Sequence, residues 1–273
     1  MIAVNPLLQS DDEDPIKRVL AEPVSASRLN TFHSCRLKFY YRYVMKLKKP
    51  SSPALQLGKA VHSVLQEWSK RRWLGKPADA ATLQEGFLGH WAKGLEESHV
   101  EFKAGEEEQE QAKAWSVVEM YLRDTPIPLD EKPEAVEVAA TADLSLHGLP
   151  TLYGIIDLIR PNGLIVDFKT AASTPCLEQA NHRNELQLSV YGLLYREATN
   201  SDESGFEVHH LIKTKVPKLV VSHTPPMTEA QETRLFLSIE SYLAGVQRED
   251  WIPSPGLQCA SCEFFQECRG GVL

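Results

Sequence analysis

The chain has 273 residues, 42% hydrophobic and 24% charged, with a formal net charge of −8. Those values are ordinary for a globular protein and leave room for one large domain or two small ones. They exclude a disordered or collagen-like chain and argue against a protein that coats nucleic acid over its whole surface, while leaving local patches open. No apolar run approaches the roughly 20 residues a membrane helix needs, and the opening MIAVNPLLQSDDEDP lacks a signal-peptide layout. An intracellular, cytoplasmic protein with no membrane partner is expected. Five cysteines are too few for a disulfide scaffold in a chain of this length.

In chain order, residues 1–23 read as a flexible acidic lead-in. VSASRLNTFHSCRLKFYYRYVMKL then reads as one helix with Ser25 or Ser27 as N-cap, and PSSP at 50–53 breaks it. LQLGKAVHSVLQEWSKRRW is a second helix, with Leu57, Val61, Val64, Leu65 and Trp68 on one face. Residues 79–123 look helical, and their many glutamates are a solvated face. From 134 the period becomes two: AVEVAATADLSLHG, TLYGIIDLIR and GLIVDFKT are successive strand candidates. ELQLSVYGLLYREA returns to helix, VHHLIKTKVPKLVVSH suggests two more strands, and Thr228 with Gln231 has capping-box spacing before a last helix.

The stretch LIVDFKT carries two charges inside a run that otherwise suits a sheet interior. Strand period sets Asp167 and Lys169 on one face, about 6.6–6.8 Å apart. Pro161-Asn162-Gly163 fits a three-residue hairpin loop; with Arg160 paired to Leu164, counting back places Asp157 opposite Asp167. Two carboxylates that close repel unless a cation lies between them, and oxygen ligands suit magnesium or manganese. The same three side chains also read as an ion triad in which Lys169 neutralises both aspartates. Upstream, His62 lies off its helix's apolar stripe, one turn beyond Gly58, where a missing side chain makes room for a ligand or a backbone.

Gly58 to His62 (GxxxH), Gly154 to Asp157 (GxxD), Asp167 to Lys169 (DxK) and Gln187 to Tyr191 (QxxxY) occur in this order. Together they resemble the RecB-like branch of the PD-(D/E)xK nucleases over residues 58–191. The resemblance implies an α/β fold: a restriction-endonuclease-like core in which helices flank a central mixed sheet. It implies metal ligation by His62, Asp157, Asp167 and the backbone carbonyl of Phe168, with Mg²⁺ or Mn²⁺ as the ion. Lys169 becomes the catalytic lysine, and Gln187 and Tyr191 support the site or touch DNA. Helix packing against the sheet is the competing account of those last two.

Cys259, Cys262 and Cys268 supply three thiolates within ten residues, and a tetrahedral metal or an iron–sulfur cube needs a fourth. Cys35 is the candidate if the first helix packs beside the C-terminus. This split arrangement is similar to that of RecB-like nucleases carrying a [4Fe–4S] cluster, among them AddB-type subunits and the CRISPR-associated nucleases of spacer acquisition. The resemblance implies a cluster that staples both ends of the chain; structural Zn²⁺ is the runner-up. Cys176 reads as an ordinary free thiol.

Between Arg36 and Lys49 stand six basic residues and no acidic one, interleaved with Phe39, Tyr40, Tyr41 and Tyr43. That combination suits single-stranded DNA, although an amphipathic helix with solvated lysines has the same pattern. Lys70, Arg71 and Arg72 form a second basic cluster beyond the His62 helix face. The expectation is one RecB-like nuclease domain over 24–273, its core spanning about 56–225, with an iron–sulfur module from Cys35 and the 259–268 segment. Its expected function is metal-dependent DNA cleavage, as an exonuclease on single strands or ends. The alternative is a DNA-end-binding subunit of a CRISPR-adaptation or repair complex, its cleavage weak or dependent on an integrase or helicase partner. Walker A is absent, so any unwinding must come from a partner.

Overall fold

The computed structural model describes residues 14–270. A five-stranded mixed sheet runs in the order β1 (Ala135–Ala142), β2 (Leu152–Arg160), β3 (Leu164–Ala171), β4 (Gly205–Ile212), β5 (Lys218–Thr224). Pairing is antiparallel except between β3 and β4, which are joined by the long helix α7 (Leu177–Thr199). A parallel neighbour requires such a crossover. All eight residues of β4 are buried, as expected of a strand covered on both faces.

One apolar cluster joins the sheet to α2 (Ala26–Ser34), α7 and α8 (Glu229–Gln247). A second joins it to α4 (Pro53–Trp73), α5 (Ala80–Glu97) and α6 (Glu106–Asp124). Val166 and Phe168 of β3 belong to the second cluster, each fixing the strand with roughly 1.5–3 kcal/mol of apolar burial. Two expected caps are present, Ser25 for α2 and the Thr228–Gln231 capping box for α8, and within the expected break Ser52 followed by Pro53 caps α4.

Three expectations change. The lead-in assigned to residues 1–23 gives way at Pro15–Ala21 to a helix, α1, whose Val19 is fully buried; residues 1–13 lie outside the described residues. Arg28 fastens this end, donating to the Val19 carbonyl and to Tyr242 of α8 and pairing with Glu22. The single helix expected over 24–47 breaks at Cys35, whose extended backbone (φ −165°) separates α2 from the short α3 (Arg36–Phe39) and a π-helical turn, Tyr40–Val44. Lastly, the stretch 79–123, expected to be helical, is interrupted between α5 and α6 at residues 98–105.

Four of the six basic residues in the strip expected to track DNA are paired with acids near the end of the chain. Arg36 pairs with Asp250, Lys38 and Arg42 both pair with Glu263, and Lys49 pairs with Glu267. Its aromatics pack in the same direction: Tyr41 lies 5.6 Å from Phe264, and Tyr40 5.3 Å from Trp251. The strip is one half of an ionic zipper, and the acidic half is the C-terminal segment. Glu263 takes two cations at once, so Glu263→Gln should cost on the order of 1 kcal/mol, lowering the melting temperature by about 2–4 °C. The same change at exposed Glu108 should be silent. Melts with and without 1 M salt check this, because salt should erase the difference if the zipper is what was lost.

Candidate active site

The site lies where the sheet loses its regularity. β2 and β3 pair from Arg160–Leu164 through Leu158–Val166, as the hairpin count predicts. The count then places Asp157 across from Asp167, but the ladder stops one pair short. Instead, the Asp157 carboxylate accepts the Phe168 N–H through Oδ2 at 3.0 Å. On the other flank of β2, pairing with β1 skips the same position: Val136–Leu158 and Val138–Ile156 are paired, while Glu137 and Asp157 between them are not. Glu137 sits in the left-handed region at φ 50°, a conformation costly for a residue with a side chain. Burial alternates up to Ile156 and then slips, since Leu158 and Ile159 are both buried, against different helical layers. Strict alternation, assumed in counting faces from sequence, fails at Asp157. That irregularity lets its carboxylate meet both β3 and α4.

The nine-tenths-buried core of the site is Asp167, 2% exposed. Its Oδ1 accepts a hydrogen bond from Gln187 Nε2 at 2.9 Å. Its Oδ2 stands 2.9 Å from Lys169 Nζ yet accepts no properly directed hydrogen bond. Lys169 donates instead to Gln187 Oε1 at 2.6 Å, and Gln187 Nε2 also donates to the Tyr191 hydroxyl at 2.7 Å. QxxxY on α7 therefore supplies an amide that fixes the acid and the lysine together. Tyr191 is itself mostly buried, and burial followed by the two carboxylates raises its hydroxyl pKa, so it stays protonated. The ion-triad reading is not met: Lys169 pairs with Asp167 alone, whereas the near neighbour of Asp157 is His62, with Nδ1 3.8 Å from Oδ2.

The motif glycines have packing roles. A Cβ on Gly154 would come within 2.7 Å of Leu194 Cδ1 on α7, and one on Gly58 within 3.1 Å of Thr170 Oγ1 on β3. Each lets a helix lie close to a strand. Gly58 thus makes room for β3 rather than for something beside the imidazole. Phe168 walls the site, edge-on to His62 with ring centres 6.2 Å apart.

His62, Ser63, Gln66, Glu137, Asp157 and Phe168 enclose a cavity of about 100 Å³. Ser63, Gln66 and Glu137 were not anticipated from sequence. Glu137 could have been found only by registering β1 on β2, which the irregular nine-residue connection 143–151 conceals. Among the described residues, no three His, Cys, Asp or Glu side chains close into a metal-holding group. The donor chemistry nevertheless fits a hard cation. Burial, then the Asp167 carboxylate, pushes the Asp157 carboxyl up to about 6 against the opposing effects of His62, the Phe168 N–H and Lys169. Beside it, Asp167 Oδ2 has the Lys169 ammonium at 2.9 Å but accepts no hydrogen bond, so one lysine faces two carboxylates.

The four cysteines expected to act together line one cavity of about 270 Å³ within the zipper region, with Lys38, Tyr41 and Phe264 in its wall. Cys35 Sγ accepts the Ser254 N–H at 3.5 Å. Burial, then the nearby thiols of Cys35, Cys259 and Cys262, raises the Cys268 pKa. Cys176 is exposed and far along the chain from the cavity-lining set.

Residues 23–269 match the family model of the PD-(D/E)XK nuclease superfamily. The chain belongs to this superfamily. Its members are metal-dependent nucleases, so the constellation at the β2–β3 opening lies in a nuclease domain. Among solved structures, a candidate exonuclease from Eubacterium rectale is similar at 17% identity and TM-score 0.63, covering 97% of this chain and 94% of its own. The structure of SSO0001 aligns at 13% identity and TM-score 0.43, covering 95% and 96%. No curated protein matches the sequence. No helix among the described residues is long and apolar enough to cross a membrane.

The buried carboxylate pair gives a stability prediction. Asp157 titrates higher in the folded chain than its unfolded value near 3.9, so the folded state holds this proton more tightly. The metal-free protein should lose stability as pH rises from about 4 through about 6. Asp157→Asn keeps an acceptor for the Phe168 N–H and removes the charge. In EDTA at pH 8 the variant should melt higher than wild type, by at most on the order of 2 kcal/mol, and the gap should close below pH 4. A variant that melts lower at pH 8 would show that the carboxylates do not repel.

Proposed function

We propose that this chain is a RecB-like, Mg²⁺- or Mn²⁺-dependent deoxyribonuclease acting as an exonuclease on single strands or DNA ends. The observation that carries the reading is the buried Asp167 carboxylate, one oxygen of which stands beside the Lys169 ammonium without accepting a hydrogen bond, near enough to Asp157 for the two acids to repel. A stability-driven core would bury apolar groups there or complete the hydrogen bonds. His62, Asp157, Asp167 and the Phe168 carbonyl would hold the ion, which supplies charge neutralisation at the scissile phosphate and acidifies water. Lys169, oriented by Gln187, places its ammonium where negative charge develops on the phosphate oxygens. Tyr191, kept protonated by burial and by both carboxylates, anchors the Gln187 amide without competing as a base. The Eubacterium rectale protein's description as an exonuclease is consistent with action on ends.

The four-cysteine cavity is proposed to hold a [4Fe–4S] cluster. What supports the reading is that all four thiols line one cavity, the ligand count that a cubane or a tetrahedral zinc requires. Zinc remains the competing occupant. Either would lock the C-terminal segment onto Cys35, in parallel with the zipper. A CRISPR integrase or a helicase is the class of partner such a nuclease serves, since this chain carries no Walker A sequence.

Purified protein incubated with end-labelled single- and double-stranded DNA should release nucleotides with Mg²⁺ or Mn²⁺ and none in EDTA. Lys169→Ala should lower the rate by about 10²–10³ or more, in line with loss of one preorganised charge-stabilising donor, while its melt stays near wild type. A Lys169→Ala protein cutting at the wild-type rate would remove the assignment. For the cysteines, protein prepared without oxygen should be brown, with about four irons per chain. Cys35→Ala should bleach it and loosen residues 257–269 in hydrogen exchange. Colourless protein with one equivalent of zinc would hand the cavity to the alternative.

A further inference from the structure

With the 36–49 strip engaged by the C-terminal segment, the nuclease reading needs another place to hold the strand it cuts. Helix α4 offers one. His62 lies in the metal cavity, and one side of the helix continues through Ser63, Gln66 and Lys70, spaced three and four residues apart and hence stacked on one face. Ser63 and Gln66 line the metal cavity and also a second one of about 370 Å³, into which Lys70 and Lys76 converge. The two cavities therefore adjoin along α4, with Ser63 and Gln66 between them, and together form a trough along that helix. In the 70–72 basic triplet, Arg71 is turned to Glu67 and the Pro77 carbonyl. Arg72 is spent on the Pro128 and Glu131 carbonyls and on the Trp68 ring. Arg71 also lines the second cavity, but its guanidinium is held by Glu67, which leaves Lys70 as the most available cation of the three. Its partner is Glu137 at 3.2 Å, with both side chains nearly half exposed, a pairing weak enough for a phosphate to displace. Lys76 is exposed at the same cavity.

We infer that Lys70 and Lys76 form a phosphate subsite for the strand being cut, reached from the metal cavity along α4. The inference rests on the nuclease reading and adds where the uncut part of the substrate lies. Eight residues of helix separate His62 from Lys70, about 12 Å. At about 3.4 Å per nucleotide along one strand of a duplex, that is within four nucleotides of the scissile phosphate, and fewer in an extended strand. Two ammonium groups recognise backbone charge and read no base, so the subsite tightens binding without sequence preference.

The test uses the full chain, a single-stranded oligonucleotide and Ca²⁺ in place of Mg²⁺ to hold the substrate uncleaved. Binding of wild type and of the Lys70→Ala/Lys76→Ala double variant is measured by anisotropy across salt concentrations. Loss of two phosphate contacts should flatten the log–log slope by about 1.4. In Mg²⁺ the variant should show a raised KM and unchanged kcat. A scan placing one neutral methylphosphonate at each of the four positions on either side of the cut should find a position that weakens wild-type binding and leaves the variant unaffected. Lys70→Arg should keep the wild-type slope, which separates charge from packing, and both lysines are exposed, so the melts should coincide. A wild type that cuts DNA while the double variant keeps its slope overturns the subsite alone. A wild type that neither binds nor cuts overturns the subsite together with the nuclease reading.

Discussion

Two carboxylates from neighbouring strands, brought together where the ladder between those strands has opened, are the constraint around which the rest of the sheet is arranged. Their mutual repulsion and burial oppose folding, and Asp157 registers this in its raised pKa. The opposition is tolerable because the surrounding strands are anchored elsewhere: β4 is buried along its whole length, and Val166 and Phe168 sit in the α4–α6 layer. A region that resists local collapse can then be left short of hydrogen bonds. The left-handed backbone of Glu137, opposite Asp157, belongs to the same arrangement, since strain of this kind persists only when its surroundings dictate it.

The helices reach this point from opposite layers. α7 lies on one face of the sheet and delivers Gln187; α4 lies on the other and delivers His62. Neither approach is possible at ordinary side-chain distances, which explains the glycines at 58 and 154 in terms of space alone. An alanine at Gly154 would push α7 away from β2, and with it the amide that orients both Asp167 and Lys169. The motif is therefore as much a set of packing distances as a set of reactive groups.

Much of this was legible in the sequence. The hairpin PNG and the apolar residues flanking Asp167 set β2 against β3, and the observed register follows that count as far as Leu158. The count failed one residue later because it assumed unbroken alternation, and the break arises from β1, whose register no local signal encodes. The basic strip's pairing within the chain was hidden for a related reason. Its charge bias was real, but the compensating acids, Asp250, Glu263 and Glu267, lie more than 200 residues away in sequence. Charge patterning reports that a partner exists without saying whether it is a nucleic acid or the other end of the same chain.

The cysteines and the zipper act on that same junction by different physics. Ion pairs at the partly exposed surface weaken with salt and contribute modestly one by one. Ligation of four thiols is insensitive to salt and depends on redox state and metal supply. The zipper and the thiols join the same two segments, Cys35 with its following strip and residues 259–268, so ion pairs at this junction oppose its opening alongside any ligand the thiols hold. The junction also reaches the sheet's core, since Phe39 and Val44 of the strip belong to the apolar cluster shared with α7 and α8, whereas Val166 and Phe168 beside Asp167 are held in the other cluster.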